Sequence, residues 1–116
     1  MTMRALETAK LLEPDRIGLA VLHVPTIKPL DSDTILAEAR RNGRLVIVAE
    51  NHSVIGGLGE AVATSLLRAG ATPKGFRQIA LPDAFLDAGA LPTLHDRYGI
   101  SAEAMEKSIR GWLSGP

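Results

Sequence analysis

Residues 46–63 read V-I-V-A-E-N-H-S-V-I-G-G-L-G-E-A-V-A, an apolar run that stops at polar, titratable side chains before a glycine cluster opens helical spacing. This order predicts a strand, a loop and a helix N-terminus. In parallel α/β sheets, ligands and partner chains are met in the crevice beyond the carboxyl ends of the strands. We therefore expect a candidate interface or crevice, to which Asp83 contributes from the end of a later strand. Its residues are Glu50, Asn51, His52, Gly56, Gly57, Gly59 and Asp83.

The first part of the chain predicts a helix, a strand and a second helix. Apolar residues from Ala5 to Leu12 recur at helical spacing until Pro14 interrupts them. The nearly continuous apolar run Ile17–Val24 predicts a strand buried on both faces. Asp31 is placed to cap a helix over residues 32–41, which Asn42-Gly43 would end.

The rest of the chain repeats this alternation. Leu45–Ala49 predicts a second strand, residues 58–69 predict a helix ending at Gly70, and Phe76–Leu81 predicts a third strand. Pro92 suits the first turn of a short helix that ends before Gly99, and Ser101 is placed to cap a final helix. That last helix is expected to bury Met105, Ile109 and Trp112.

Strands that alternate with helices predict an α/β fold, a three-layer α/β/α arrangement around a mostly parallel sheet. Three strands are few for such a sheet, and a helix precedes the first of them. No repeat, low-complexity stretch or linker is visible, so we expect residues 1–116 to form a single domain.

Composition narrows the class of protein. The apolar content of 46% suits a globular protein without a membrane span. The charges of the thirteen basic and thirteen acidic residues cancel, so the chain has no strong positive potential that would attract the phosphate backbone of a nucleic acid. The chain has no cysteine for a disulfide, and its first residues do not resemble a signal peptide, so we expect a cytoplasmic protein.

Two kinds of chemistry are conceivable in the candidate interface. The Gly56–Gly59 cluster could approach a phosphate at a helix N-terminus, but it lacks the spacing and lysine of phosphate loops, and a tight turn with close helix packing is the favoured interpretation. Glu50 and His52 could form an acid–base pair, although local or interfacial hydrogen bonding is favoured because no nucleophile accompanies them. The scattered histidines His23, His52 and His95 do not predict a metal site.

Three separated motifs resemble one family. The phrase E-N-H-S-V-I-G-G-L-G, the segment P-T-I-K-P-L-D (residues 25–31) and Leu81-Pro82-Asp83 are similar to the C-terminal domain of transketolase and its thiamine-diphosphate-dependent relatives, including 1-deoxyxylulose-5-phosphate synthase. The similarity extends from about Ala5 to Leu113.

The resemblance implies a role without chemistry of its own. In this family the cofactor, thiamine diphosphate with magnesium, lies between two other domains, whose metal-diphosphate motif and activating glutamate have no counterpart here. The expected function is a structural and docking domain or subunit that binds neither cofactor nor metal. It would act in ketol transfer only when assembled with thiamine-diphosphate-binding domains or a subunit that carries them, and the isolated chain would be inactive.

The family domain also has strands before the helix that begins near Ala5, and these leading strands are missing here. We therefore expect either a separately encoded piece that docks on a partner or a shortened form of a longer protein, with open sheet edges that favour a homo-oligomer. Two other functions stay open: a stand-alone protein-interaction module, and a small-molecule-binding regulatory domain that uses the crevice from Glu50 to Gly59.

Overall fold

The computed structural model describes residues 1–115, which form five α-helices and two β-strands. Their order is α1 (Thr2–Leu12), a 3₁₀ turn (Glu13–Asp15), α2 (Ser32–Ala39), β1 (Leu45–Ser53), α3 (Leu58–Arg68), β2 (Gly75–Leu81), α4 (Leu91–Arg97) and α5 (Ala102–Ser114). These elements fall into two compact units. One spans residues 23–83, and the other combines residues 1–22 with the C-terminal part from residue 84.

The unit of residues 23–83 contains a parallel pair of strands. Strand β1 pairs with β2 in a register that runs from Leu45 opposite Gly75 to Ala49 opposite Ile79. Beyond that point β1 advances four residues, from Ala49 to Ser53, while β2 advances two, from Ile79 to Leu81. The crossover between these parallel strands contains α3, as parallel pairing requires.

Helices α2 and α3 supply the core of this unit. Val48 of β1 is buried together with Ile35 and Ala39 of α2 and Val62 and Leu66 of α3. Side chains alternate between the faces of a strand, so the burial of Val48 also turns Glu50 toward the helix-covered face. The packing of the sheet thus fixes the position of the first predicted site residue.

The second unit is built on α1 and α5, which pack against each other. The fully buried Thr8 hydroxyl lies within hydrogen-bond distance of the Arg4 carbonyl in its own helix, at 2.8 Å, and of the Ala102 carbonyl, at 3.2 Å. Arg110 of α5 forms ion pairs with Asp15 at 2.6 Å and with Glu106 at 2.8 Å. These contacts join the two ends of the sequence in one unit.

The predicted starts of α2 and α5 are confirmed by their capping residues, whereas α2 ends at Ala39, two residues before the predicted end. The side chains of Asp31 and Ser101 accept hydrogen bonds from the third residue of their helices. Gly43 and Gly70 adopt φ angles of 74° and 63° after α2 and α3, in the left-handed region that glycine tolerates best. Pro92 lies in the first turn of α4.

The α/β class and the parallel pairing are confirmed, but the predicted strand Ile17–Val24 is wrong. This run forms no strand, because an apolar run becomes a strand only where a neighbouring ladder takes its backbone groups, and within residues 1–115 the sheet consists of β1 and β2 alone. Strand β1 is longer than predicted and includes Glu50, Asn51 and His52. The assignment of residues 1–116 to one domain stays a prediction.

Candidate functional site

The side chain of Glu50 caps the N-terminus of α3. Its carboxylate is only 8% exposed, and its two oxygens accept separate backbone hydrogen bonds, Oε1 from Leu58 N–H at 2.8 Å and Oε2 from Gly59 N–H at 2.7 Å. The first N–H groups of a helix have no partner inside the helix, and the positive end of the helix dipole favours a negative charge there. We call this arrangement of Glu50, Leu58 and Gly59 the carboxylate clasp.

Glycines make the clasp possible. A Cβ atom on Gly57 would overlap Glu50 Oε1, and one on Gly59 would overlap the side-chain amide of Gln78. Gly56 adopts a φ angle of 73°, and its N–H donates to Glu60 Oε2 at 2.9 Å. The glycine cluster therefore permits a tight turn and close packing, which is the interpretation that the sequence favoured.

His52 lies beside the clasp and is largely exposed. Its Nδ1 is 2.8 Å from the Ser53 carbonyl and 3.8 Å from Glu50 Oε1, and 58% of its side chain is accessible. A carbonyl can only accept, so this bond places a proton on Nδ1 and leaves Nε2 of the neutral ring as an acceptor. His52 can thus offer one directional hydrogen bond to a partner.

The remaining predicted site residues are not all brought together. Asn51 is exposed on β1, and the Ser53 hydroxyl accepts from Ile55 N–H at 3.2 Å, a turn bond that gives Ser53 a structural role. Asp83 is exposed two residues beyond β2, and within residues 1–115 it has no hydrogen bond or ion pair with the clasp. The structure therefore joins Glu50, His52, Gly56, Gly57 and Gly59, but it does not link Asp83 to them.

Two residues of this region, Gln78 and Glu60, were not predicted from the sequence as part of the site. Gln78 directs its amide at Gly59, and its Nε2 is buried without a hydrogen-bond partner within the described residues. The available signal was a polar glutamine at the centre of β2, directly before the apolar residues Ile79–Leu81. Glu60 is the third residue of α3, and its carboxylate accepts a hydrogen bond from Gly56 N–H in the preceding loop. This is a variant of the capping box, and the sequence G-L-G-E was the available signal for it.

These groups do not fit a diphosphate or its metal ion. The backbone donors of Leu58 and Gly59 are occupied by Glu50, and Glu60 adds a second negative charge where an anion would have to lie. Within residues 1–115, no three histidine, aspartate or glutamate side chains are grouped as metal ligands. Over the same residues, no helix is long and apolar enough to cross a membrane.

Comparison with known proteins shows extensive similarity to transketolases. The family model for the transketolase C-terminal domain matches residues 1–105. A putative uncharacterized transketolase family protein of Sinorhizobium fredii is 66% identical over 97% of this chain, and the match covers 33% of that protein. The 1-deoxy-D-xylulose-5-phosphate synthase of Syntrophotalea carbinolica is 38% identical over 94% of this chain and 17% of its own length.

A transketolase subunit and a solved split gene transketolase are also similar. A 6-deoxy-6-sulfo-D-fructose transketolase subunit of a Clostridium species is 36% identical over 93% of this chain, and the match covers 33% of that subunit. A solved structure described as a split gene transketolase in an inactive β4 tetramer superposes with a TM-score of 0.84, at 34% identity, over 97% of this chain and 36% of that one.

The chain thus spans about a third of the transketolase family protein, of the transketolase subunit and of the split gene transketolase, and a smaller part of the synthase. The sequence motifs, the parallel strand pair and the family model, which covers most of the chain, agree with one another. The chain belongs to the transketolase C-terminal domain family.

Proposed function

We propose that this chain is the C-terminal domain or subunit of a thiamine-diphosphate-dependent, ketol-transferring enzyme and that its role is structural and docking. The observation that carries the proposal is the match of residues 1–105 to the family's C-terminal domain. The isolated chain is inactive on this proposal, and turnover belongs to the assembled enzyme.

The cofactor of the complete enzyme belongs to other domains on this proposal. The family resemblance implies thiamine diphosphate and magnesium there. In this chain the helix N-terminus that could receive a diphosphate is closed by Glu50, whose two oxygens already take the available N–H groups. This arrangement supports a chain that binds neither cofactor nor metal and depends on thiamine-diphosphate-binding domains or a subunit that carries them.

The docking surface we assign lies at the carboxyl end of β1. Asn51 and His52 are exposed there, and the exposed Ile55 follows with 55% of its surface accessible. Polar groups at the end of a strand beside an apolar side chain on the following loop, which buried hydrogen bonds hold in place, are suited to a protein interface. Asp83 is a further candidate of this surface, at the end of β2.

The small-molecule-binding alternative is less well supported. It would use the crevice from Glu50 to Gly59, where Glu50 is buried and the loop donors of Gly56, Leu58 and Gly59 already have acceptors. A stand-alone interaction module would use the same exposed residues as the docking surface. It differs from the proposal in having no enzymatic partner.

Co-purification followed by reconstitution tests the proposal. The tagged chain is isolated from its native cell, and co-purifying proteins are identified by mass spectrometry. We expect a chain with the thiamine-diphosphate-binding domains. Mixing the two recombinant chains with thiamine diphosphate and magnesium should then produce ketol transfer that neither chain gives alone.

Two results would overturn the proposal. One is recovery of the tagged chain without any thiamine-diphosphate-binding protein, which favours the stand-alone module. The other is full ketol transfer by the thiamine-diphosphate-binding chain alone at a rate that this chain does not change.

A further inference from the structure

Basic residues gather at the amino ends of the two strands, opposite the end that carries the carboxylate clasp. They come from the end of α2 with the segment leading to β1, and from the end of α3 with the segment leading to β2. Two hydrogen bonds join these segments: Lys74 N–H donates to the Arg44 carbonyl at 2.8 Å, and Arg40 Nη2 donates to the Ala69 carbonyl at 3.4 Å. We call this group the basic cluster, and its members are Arg40, Arg41, Arg44, Arg68 and Lys74.

Local groups balance only part of this positive charge. Within residues 1–115, Glu38 is the one carboxylate that forms ion pairs with the cluster, with Arg41 at 3.2 Å and with Arg44 at 3.5 Å. Each helix C-terminus carries roughly half a negative charge, and α2 and α3 both end here. Glu38 and the two helix ends therefore offset about two of the five positive charges, and about three remain.

Arg68 and Lys74 are the cations of this cluster whose side chains are not engaged. Both are exposed, and within residues 1–115 neither side chain forms a hydrogen bond or an ion pair. Positive charges that the backbone holds close together repel one another, and bound carboxylates relieve that repulsion. The cluster is therefore electrostatically complementary to an acidic surface.

An apolar side chain lies beside these charges. Leu67 directly precedes Arg68 at the end of α3, and 83% of its surface is accessible, although the neighbouring Leu66 is buried in the core. A large apolar side chain among cations suits a protein interface, where apolar contacts add to charge pairing. Single-stranded nucleic acids are instead usually bound by base stacking on exposed aromatic rings. Phe76, the only phenylalanine, tyrosine or tryptophan in residues 23–83, packs against the core.

We propose that the basic cluster, with Leu67 beside it, binds an acidic protein surface that presents an apolar side chain among its carboxylates. The basic cluster lies at the amino end of β1, whereas the docking surface assigned above lies at the carboxyl end of this strand. Binding at the cluster is independent of the enzymatic role proposed above, because residues 38–74 supply all of its groups.

Fluorescence anisotropy of the full chain tests this binding with a labelled peptide of glutamates that has one leucine at its centre. We expect saturable binding whose dissociation constant rises with ionic strength, because salt screens exposed charges. In the double variant Arg68→Glu, Lys74→Glu the dissociation constant should rise at least about tenfold. The matched control is Lys10→Glu, Lys107→Glu, which changes the net charge equally at exposed lysines of α1 and α5. Its dissociation constant should rise less than about twofold.

The central leucine of the peptide tests the apolar contact separately. Leu67→Ser should weaken binding of this peptide about fivefold and leave binding of a peptide with serine in place of the leucine unchanged. Circular dichroism checks that every variant is folded. If the double charge reversal unfolds, the neutral pair Arg68→Gln, Lys74→Gln replaces it, with a smaller rise of the dissociation constant expected.

Several outcomes would overturn the proposal. One is the absence of saturable peptide binding below about 1 mM at low salt. Another is an equal loss of affinity in the control double variant, which would mean that net charge alone attracts the peptide. Tighter binding of an oligothymidylate of the same charge would identify the cluster as a nucleic-acid site. If Leu67→Ser changes the affinity for both peptides equally, or for neither, the apolar part of the proposal is wrong.

Discussion

Glu50 accepts two backbone hydrogen bonds with two oxygens, so a side chain with a single carbonyl oxygen cannot replace it. In Glu50→Gln an amide N–H₂ must face the N–H of Leu58 or Gly59, which leaves one donor without an acceptor. Hydrogen bonds to charged groups contribute roughly 1.5–3 kcal/mol, and we expect the free energy of unfolding to fall by about that amount. Urea unfolding followed by circular dichroism measures it.

Glu60→Gln is the matched control for this prediction. Glu60 is exposed and accepts one bond, from Gly56 N–H, and an amide oxygen can still accept it. We expect a change within about 0.5 kcal/mol. Equal losses in the two variants would show that the clasp stabilises no more than an exposed cap does.

His52→Ala should weaken docking and leave the fold intact. The His52 side chain is 58% exposed, and its Nε2 is directed by the bond from Nδ1 to the Ser53 carbonyl. Loss of one interfacial hydrogen bond costs roughly 1 to 3 kcal/mol, a ~5- to 100-fold change in affinity for the thiamine-diphosphate-binding partner. Calorimetric titration of the partner against both chains measures the change.

Thr72→Ala is the control, because Thr72 is exposed just before β2, away from the carboxyl ends of the strands. Unchanged affinity of His52→Ala together with lost turnover in the assembled enzyme would contradict docking. That outcome would assign His52 a contact with substrate.

The chemical types of the site residues could be predicted, but the partners of Glu50 could not. Local sequence patterns place a carboxylate at a strand end and glycines at a helix start, which suggests two separate features. Glu50 and Gly59 meet because β1 and α3 pack together around Val48 and Val62. Such a contact is set by tertiary packing, and neither propensity nor spacing contains it.

Gly59→Ala should disturb the packing between α3 and β2. A Cβ atom there overlaps the buried amide of Gln78, and insertion of a methyl group into a well-packed site costs typically about 1–3 kcal/mol. Gly111→Ala is the matched control on α5, where a new Cβ has no neighbour within 4 Å. Alanine is more favourable than glycine in the interior of a helix, so we expect Gly111→Ala to raise the free energy of unfolding by about 0.5–1 kcal/mol. Equal effects of the two substitutions in thermal unfolding would refute the close approach.

The cap of α2 should be sensitive to acid. The Thr34 hydroxyl donates to Asp31 Oδ2 at 2.7 Å and the Thr34 N–H donates to Oδ1 at 3.2 Å, and these bonds lower the pKa of Asp31 from its ordinary value. A carboxyl whose pKa is lower in the folded chain stabilises the fold above the unfolded pKa and loses that contribution as the pH falls through the folded pKa.

Asp31→Asn isolates this charge, because asparagine is also a good helix cap. We expect wild type to be the more stable chain at neutral pH and the difference to shrink below about pH 4. Chemical unfolding of both chains across this range measures it. A difference that stays constant from neutral to strongly acidic pH would contradict the role of the Asp31 charge.

The helices were predicted from the sequence more accurately than the strands. Helices with a capping side chain or a terminal glycine, such as those begun by Asp31 and Ser101, were located from local chemistry alone. The apolar run Ile17–Val24 carried an equally strong strand pattern and forms none. A helix takes its hydrogen bonds from within itself, whereas a strand depends on a neighbour that local sequence does not specify.

For the complete chain we expect no saturable binding of thiamine diphosphate at micromolar concentration, with or without magnesium. The N–H groups of Leu58 and Gly59 are taken by Glu50, and the nearby Glu60 would repel a diphosphate. Isothermal titration calorimetry of the isolated chain measures this. A saturable heat with micromolar affinity would contradict the assignment of the cofactor to other domains.

Similarity over nearly the whole chain made the family recognisable from sequence, and the family model and the solved split gene transketolase agree with that recognition. The division into two compact units was not foreseen. One reason is that Arg110 near the C-terminus pairs with Asp15 near the start, and a contact between such distant parts of a sequence leaves no local pattern.

Within the clasp, Glu50 also competes with any oxyanion that approaches α3 for the N–H groups of Leu58 and Gly59. A tethered group acts at an effective concentration that reaches the millimolar range, and the Glu50 carboxylate is held by its strand as well as by its bonds. A free phosphate or sugar phosphate would have to displace it and leave a buried charge without partners, which is costly. We therefore expect the start of α3 to be insensitive to free phosphate and sugar phosphates as long as residue 50 carries a carboxylate.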